Sequence, residues 1–143
     1  MDDSIEIGEG QDEASYFRYK ATLRIFGVIS DPEALTQSLG LCPTYSHRRG
    51  DRRNPSSEPY KFDMWMYTPP LDRGAPLHMH IDALWSVLRD KEEFLLQLKR
   101  ELTVDVFLGY RSNSDTAGIE IPYQSLEIFL KLQVPFGLSI IIT

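Results

Sequence analysis

The sequence has a single cysteine, Cys42, so it can form neither an intrachain disulfide nor a zinc site built from several thiolates. It also lacks a long apolar run, because the longest such stretch, around 139–142, is far too short to span a bilayer. No basic-then-apolar signal segment opens the chain. We therefore expect a cytoplasmic protein that does not bind a membrane. Because Cys42 follows a helix end, we expect a small core residue there rather than a nucleophile.

Basic residues are missing from the first thirteen positions, which instead hold six acidic ones. Without these six, the chain has 15 basic and 15 acidic side chains, so the net charge of −6 comes from this segment. A polar acidic segment buries too little apolar surface to order itself, which predicts a disordered tail at 1–17 and a single domain at 18–143. The tail is either a solubilising end or an acidic arm for a basic partner. Its acidic residues are Asp2, Asp3, Glu6, Glu9, Asp12 and Glu13.

The first half of the domain alternates between strand and helix signals. Apolar and polar residues alternate at 19–26 and again at 60–68, which predicts two half-buried strands. A short helix is predicted at 31–39, with a capping aspartate and a proline at its start and a glycine after its end. A short strand is expected to begin within 43–49, and the glycine- and proline-rich stretch at 50–59 is predicted to be a loop.

The second half has a similar organisation. Leucine-rich stripes predict helix from 77 to 102, with a kink or break at 89–91, and alternation predicts a strand at 104–110. A short strand is expected at 119–121, then a helix, then a last strand at 136–142 that is apolar on both faces and so expected inside the sheet. The fold class is therefore α+β. We expect one mostly antiparallel sheet with helices on one face, in a ferredoxin-like β-α-β-β-α-β order extended by a β-α-β end.

Several short motifs follow the first strand. Asp31-Pro32-Glu33-Ala34-Leu35-Thr36 runs into Leu39-Gly40-Leu41-Cys42-Pro43-Thr44, and Gly50-Asp51 and then Trp65 come after them. In this order and spacing the motifs resemble a bacterial family labelled domain of unknown function 4279, over roughly Tyr19 to Thr143. The resemblance implies a small α+β domain. That family has no established catalytic residues, so the resemblance assigns no catalytic role here.

No stretch of the sequence sets out a catalytic, metal-binding or cofactor-binding constellation. His78 and His80 are two residues apart at a predicted helix start, where their side chains diverge by about 200° and no third ligand completes a metal set. Ser46, His47 and Asp51 are triad residue types crowded into one loop, without a nucleophile turn or obvious oxyanion donors. We therefore expect no metal and no cofactor, and we favour a protein that is not an enzyme.

The loop at 47–53, here named the Arg loop, is the unusual polar feature of the chain. It carries Arg48, Arg49, Arg52 and Arg53. Arginine forks suit phosphates and carboxylates, so the Arg loop is either a contact for an anion, a nucleic acid or an acidic protein, or a solvated loop docked by the acidic tail. Nucleic acid is disfavoured, because the domain is neutral overall and shows no aromatic-rich stacking platform.

The strand at 60–68 places Trp65 and Tyr67 on one face. If helices leave that face of the sheet uncovered, both rings are exposed there with Phe26 and Phe107 and mark an interface; the alternative is burial under the long loop. We predict a protein-interaction module, immunity-like or regulatory, that binds another protein or a second copy of itself through Trp65, Tyr67 and the Arg loop. The alternative is a binder of an anionic small molecule or nucleic acid through the Arg loop.

Overall fold

A five-stranded sheet is the centre of the part of the chain that the computed structural model describes, residues 14–143. Its strands are, in chain order, β1 (Phe17–Gly27), β2 (Tyr45–His47), β3 (Asp63–Tyr67), β4 (Thr103–Ser112) and β5 (Leu138–Ile142). They lie side by side in the order β2-β3-β1-β4-β5, and neighbours are antiparallel except β4 and β5, which are parallel. The predicted α+β class and mostly antiparallel sheet are confirmed. The predicted acidic tail lies largely outside the described residues. Helix α1 (Pro32–Leu39) follows β1, and α2 (Leu77–Leu88), a 3-10 turn (Arg89–Lys91) and α3 (Glu92–Leu98) lie between β3 and β4. A second 3-10 turn (Tyr123–Leu126) and α4 (Glu127–Leu132) lie between β4 and β5.

The hydrophobic core lies on one face of the sheet, here named the helix face. Leu23 and Ile25 of β1 and Leu108 of β4 point to this face and are fully buried, as the period-two alternation requires. Leu84 and Leu88 of α2 pack against them and are also fully buried. The described helices pack on the helix face, as predicted, and within residues 14–143 the opposite face carries no helix.

Both ends of helix α1 follow from its sequence. The Asp31 carboxylate accepts a hydrogen bond from the Glu33 N–H at 3.1 Å, which caps the first turn. Gly40 adopts a left-handed φ of 67°, and the N–H groups of Gly40 and Leu41 both donate to the Thr36 carbonyl. The predicted interruption of the long second helix is confirmed as well, because a 3-10 turn separates α2 from α3.

Two predictions about the C-terminal part of the chain are wrong. Residues 119–121 form no strand, and Ile119 instead lines a groove with Leu138 and Ile140 of β5. Strand β5 lies at the edge of the sheet rather than inside it, and Ile140 is 58% exposed. A strand that is apolar on both faces can therefore lie at the edge of the sheet formed by residues 14–143. Cys42 is also exposed rather than buried in the core.

Gln133 ends helix α4 with a φ of 57°, a left-handed conformation that costs a residue with a Cβ about 1–2 kcal/mol. The Lys99 ammonium group holds this turn by donating to the carbonyls of Leu132 and Gln133, at 3.0 and 2.6 Å. Because glycine adopts this conformation without strain, we expect Gln133→Gly to raise the free energy of unfolding by about 0.5–1 kcal/mol in urea titrations. Gln133→Ala keeps the strain and should give no gain; an equal gain from both variants would contradict the explanation.

Candidate functional site

Asp63, the first residue of β3, organises the Arg loop. Its carboxylate is 1% exposed and accepts hydrogen bonds from the backbone N–H groups of Ile29 and Arg49, at 2.7 and 2.8 Å. The guanidinium groups of Arg48 and Arg49 lie at 3.1 and 3.2 Å from the same carboxylate. Arg48 also donates to the carbonyl of Ile29 at 3.1 Å. The first two arginines of the loop therefore fasten it to the sheet.

The charge of Asp63 is stabilised by these contacts. Burial alone would raise the pKa of the carboxyl group, but the N–H groups of Arg49 and Ile29 and the guanidinium groups of Arg48 and Arg49 together outweigh burial. The pKa of Asp63 is therefore held below its ordinary value. An ionised carboxylate at this position explains why two arginines occur side by side, without requiring an external anion.

The remainder of the Arg loop is closed by its own contacts. Arg52 donates to the carbonyl of Ser57 at 2.5 Å, and the His47 ring stacks on Tyr60 with a centroid distance of 3.6 Å. The N–H of Tyr60 donates to the Asp51 carbonyl at 2.8 Å. Arg48 and Arg49 have an internal carboxylate partner although their side chains remain 47% and 45% exposed, and Arg53 is exposed as well. The predicted partner-binding role of the loop stays a prediction, with fewer free guanidinium groups than the sequence suggested.

Trp65 is a core residue, so, of the two alternatives for this side chain, exposure on an uncovered sheet face is wrong and burial is observed. It lies opposite Ile25 in the β1–β3 register, on the helix face, and it is 0% exposed. Its indole N–H donates to the Thr36 hydroxyl of α1 at 3.1 Å. Tyr67 lies opposite Leu23 on the same face, half-buried against the core. The predicted alternation of β3 is confirmed, and the register with β1 determines which of its two faces is buried.

The helix-free face of the sheet, here named the open face, carries a mixture of apolar and basic side chains. Its four largest apolar side chains are half-buried rather than covered, and they come from three different strands. They are Phe26, Met64, Met66 and Phe107. Four basic residues also lie on this face, beside the single carboxylate of Asp105. They are Arg18, Lys20, Arg24 and Arg111.

Asp105 neutralises one of these four cations. Arg24 donates to both oxygens of the Asp105 carboxylate at 2.8 Å, and the hydrogen bond to Asp105 is the main reason that the pKa of Arg24 is raised. The Arg24 guanidinium carbon also lies 5.1 Å from the centroid of the Phe107 ring. The other three cations have no carboxylate partner within residues 14–143.

Two of the unpaired cations face each other directly. Arg18 of β1 and Arg111 of β4 are cross-strand partners in the register, and like charges in that arrangement destabilise a sheet. Lys20 is two residues further along β1, opposite Gly109. A Cβ on Gly109 would approach Lys20 Cγ to 3.1 Å and the Phe107 ring to 3.3 Å, so glycine lets these side chains meet.

These side chains line a groove of about 310 Å³ on the open face, with Arg73 from the loop before α2 at its rim. The groove combines several cations with aromatic and aliphatic walls, and it holds no arranged nucleophile, general base and oxyanion donors. Such a site can bind anionic groups that carry apolar neighbours. The sequence predicted Phe26 and Phe107 on an uncovered face, where they lie, but the prediction did not include the basic side chains of β1 that share this face, Arg18, Lys20 and Arg24.

The two histidines considered as metal ligands do not form a site together. His80 is fully buried, its Nε2 lies 3.1 Å from the Ala75 carbonyl oxygen, and burial lowers its pKa. His78 is half-buried and lies two residues before His80 on α2. Within residues 14–143 there is no group of three or more possible metal-ligating side chains. None of the helices in this part of the chain is long and apolar enough to cross a membrane.

The fold and the site define an α+β domain whose single sheet has one helix-covered face and one basic, partly apolar open face. The chain belongs to the family described as "Domain of unknown function (DUF4279)", whose model matches residues 17–142. This match confirms the resemblance seen in the sequence motifs and covers every strand and helix described above. A comparison with curated proteins and a comparison with solved structures each found no match.

Proposed function

We propose that this protein is an interaction module that binds an acidic segment of another protein on its open face. The observation that carries the proposal is the cross-strand pair Arg18 and Arg111, two like charges held opposite each other without a carboxylate partner within residues 14–143. A bound carboxylate would relieve their repulsion, and Lys20 stands next to the pair for a second acidic group.

The apolar part of the open face supports a protein partner over a free anion. Phe26, Phe107, Met64 and Met66 are half-buried side chains that a partner could cover, and aromatic residues, methionine and arginine are enriched at interfaces. Methionine adapts its shape to different partners. We further propose a cytoplasmic location, because the exposed thiol of Cys42 is most easily kept free in a reducing compartment.

An anionic small molecule is the second candidate, and one specific observation favours it. Gly109 lets Lys20 and Phe107 approach each other, which shapes a groove small enough for a single charged ligand. Nucleic acid is a weaker candidate, because residues 14–143 contain equal numbers of basic and acidic side chains and nucleic-acid binders are usually basic over a whole face.

A charge reversal separates binding from folding on this face. Arg111→Glu places a carboxylate opposite Arg18, so we expect the free energy of unfolding to stay level or rise by about 0.2–1 kcal/mol. The same change should weaken binding of a fluorescent peptide of alternating glutamate and leucine by about tenfold or more, measured by anisotropy at low salt. Arg53→Glu is the matched control, since it alters net charge equally on an exposed residue of the Arg loop.

Equal weakening by Arg53→Glu would mean that net charge or the Arg loop determines peptide binding, and the open face would lose its role. Binding of inorganic phosphate that competes with the peptide and is lost in Arg111→Glu would favour the small-anion alternative. Tighter peptide binding by a chain lacking residues 1–13 would identify the protein's own acidic segment as a competitor for the same face.

A further inference from the structure

Strand β5 leaves one edge of the sheet open, with apolar side chains beside it. Ile140, Ile141 and Ile142 are 58%, 44% and 48% exposed, although they belong to a regular strand paired with β4. Residues 133–143 contain no charged side chain. Proteins usually protect edge strands with lysine or other charges, proline, a bulge or a short length, and β5 itself has none of the charges or prolines.

The opposite edge of the same sheet is protected. Strand β2 is only three residues long, and the two arginines bound to Asp63 follow it immediately. The long closed loop that joins β2 to β3 begins at the same point. The same sheet therefore has one protected edge, at β2, and one unprotected edge, at β5. This contrast favours a specific role for the β5 edge.

The backbone geometry shows which groups of β5 are available. The N–H of Thr143 donates inward to the Ser112 carbonyl of β4 at 2.9 Å. Because consecutive residues of a strand direct their backbone groups to opposite sides, the N–H and C=O groups of Leu138, Ile140 and Ile142 point outward from the sheet. Within residues 14–143 these outward groups have no hydrogen-bond partner, so the three residues form a regular row of available donors and acceptors.

We propose that two copies of this chain pair antiparallel along β5, with a two-fold axis at Ile140. In this register Ile140 meets Ile140 of the second copy, and Leu138 meets Ile142 of the second copy. Each of these pairs exchanges both its N–H···O bonds, which uses the outward-pointing groups of the strand. The result is an isologous dimer with one continuous sheet, with the helices of both copies on the same side.

The surroundings of β5 suit a second copy. On the helix face, Phe136 packs edge-on against Phe129 with a centroid distance of 5.0 Å, and both line an apolar groove with Leu130 beside the start of the strand. The antiparallel register brings Ile142 of the second copy next to this groove, which adds the apolar area that a five-residue strand alone lacks for a stable interface. Strand β5 itself carries no charge, so two copies of the strand do not repel each other. Asp115 lines a groove with Ile140 and Ile142 and is the acidic side chain that the second copy would have to leave in solvent.

Sedimentation velocity across a concentration series tests this dimer. We expect the full chain to approach the mass of a dimer, and Ile140→Lys to raise the dimer dissociation constant by about 100-fold, because two ammonium groups would meet at the axis. At protein concentrations below the dimer dissociation constant of the parent, circular dichroism and urea unfolding should be the same in both proteins, since Ile140 is exposed in the single chain. At higher concentrations only the parent should gain stability from pairing. Val28→Lys is the control: Val28 is 62% exposed and distant in sequence and sheet position, and its variant should dimerise like the parent.

A cysteine cross-link tests the register independently of stability. In a Cys42→Ser background, Ile140→Cys should form a covalent dimer under mild oxidation, because symmetric partners in an antiparallel ladder lie about 5.5 Å apart at Cα, within disulfide reach. Ile142→Cys should not, since residue 142 meets residue 138. A parent protein that stays monomeric at all concentrations, open-ended assembly instead of a dimer, or equal cross-linking at both positions would overturn the proposal. None of these outcomes bears on acidic-peptide binding at the open face.

Discussion

Truncation of Trp65 to alanine should lower the free energy of unfolding by about 3–5 kcal/mol, one of the largest effects of any single substitution in this chain. The side chain is 0% exposed between the sheet and α1, and its indole N–H donates to the Thr36 hydroxyl at 3.1 Å. Alanine would leave a cavity under α1 and would leave the helix without this anchor. Urea unfolding followed by circular dichroism measures the loss.

Met66 provides the matched control for Trp65, because it is the next residue on the same strand and points to the open face. Met66→Ala should cost less than half as much, since its side chain is only half-buried. The reverse order, with Met66→Ala more costly than Trp65→Ala, would show that the two faces of the sheet have been assigned the wrong way round. The pair of variants therefore tests which face of β3 is buried.

Replacement of Asp63 by asparagine should lower the free energy of unfolding by about 3–5 kcal/mol. Asparagine has nearly the same shape, but it removes the charge shared by Arg48 and Arg49 and turns an NH₂ group towards a buried backbone donor. Asp51→Asn is the control in the same loop: its carboxylate is exposed, so its loss should cost under about 1 kcal/mol. Similar losses in both variants would contradict the central role of Asp63.

The same carboxylate predicts a dependence of stability on pH. The pKa of Asp63 in the folded chain is below its ordinary value of about 3.9, so the unfolded chain binds the proton more readily. Its contribution is therefore complete above about pH 5 and is lost as the pH falls through the folded pKa. The difference in unfolding free energy between the parent and Asp63→Asn should shrink in that range. The lowered pKa of His80 also makes the folded chain less stable in acid, beginning at a higher pH than for Asp63. Because both proteins contain His80, its contribution cancels in the difference between their unfolding free energies.

Trp65 and the paired arginines show why residue type alone is a poor guide to an interface. Tryptophan and arginine dominate binding energies at interfaces, but here Trp65 fills the core and Arg48 and Arg49 bind a buried carboxylate. The two surfaces proposed as interfaces contain no tryptophan and do not include the Arg loop. They are the basic and apolar open face and the uncharged edge of β5, and both became visible only through the pairing of strands.

The two proposed surfaces are compatible with each other. Pairing through β5 keeps both open faces on the same side of one continuous sheet, because a two-fold axis perpendicular to the sheet preserves its faces. An acidic partner with two binding segments could then contact both copies at once. Variants at Arg111 and at Ile140 should act independently, which allows binding and self-association to be measured in one set of proteins.

Local signals determined much of this protein from the sequence alone. The caps around α1, the alternation of β1 and β3, and the break between α2 and α3 depend on contacts within a few residues, so they can be read without knowledge of the fold. The α+β class follows from the order of these elements. The family resemblance also depends on local motifs, and the match over residues 17–142 confirms it.

Only the tertiary structure decided which face of each strand is buried and which strand lies at an edge. Period-two alternation does not say which of the two faces of a strand is buried. For β3 this is decided by pairing with β1, in which Trp65 lies opposite Ile25, forty residues away in sequence. The pairing places the indole of Trp65 under α1. The apolar pattern of β5 fits an interior strand equally well, because a sequence does not state how many neighbours a strand has. The partner of Asp63 and the opposition of Arg18 to Arg111 likewise arise from strand register, a long-range property that local residue patterns do not contain.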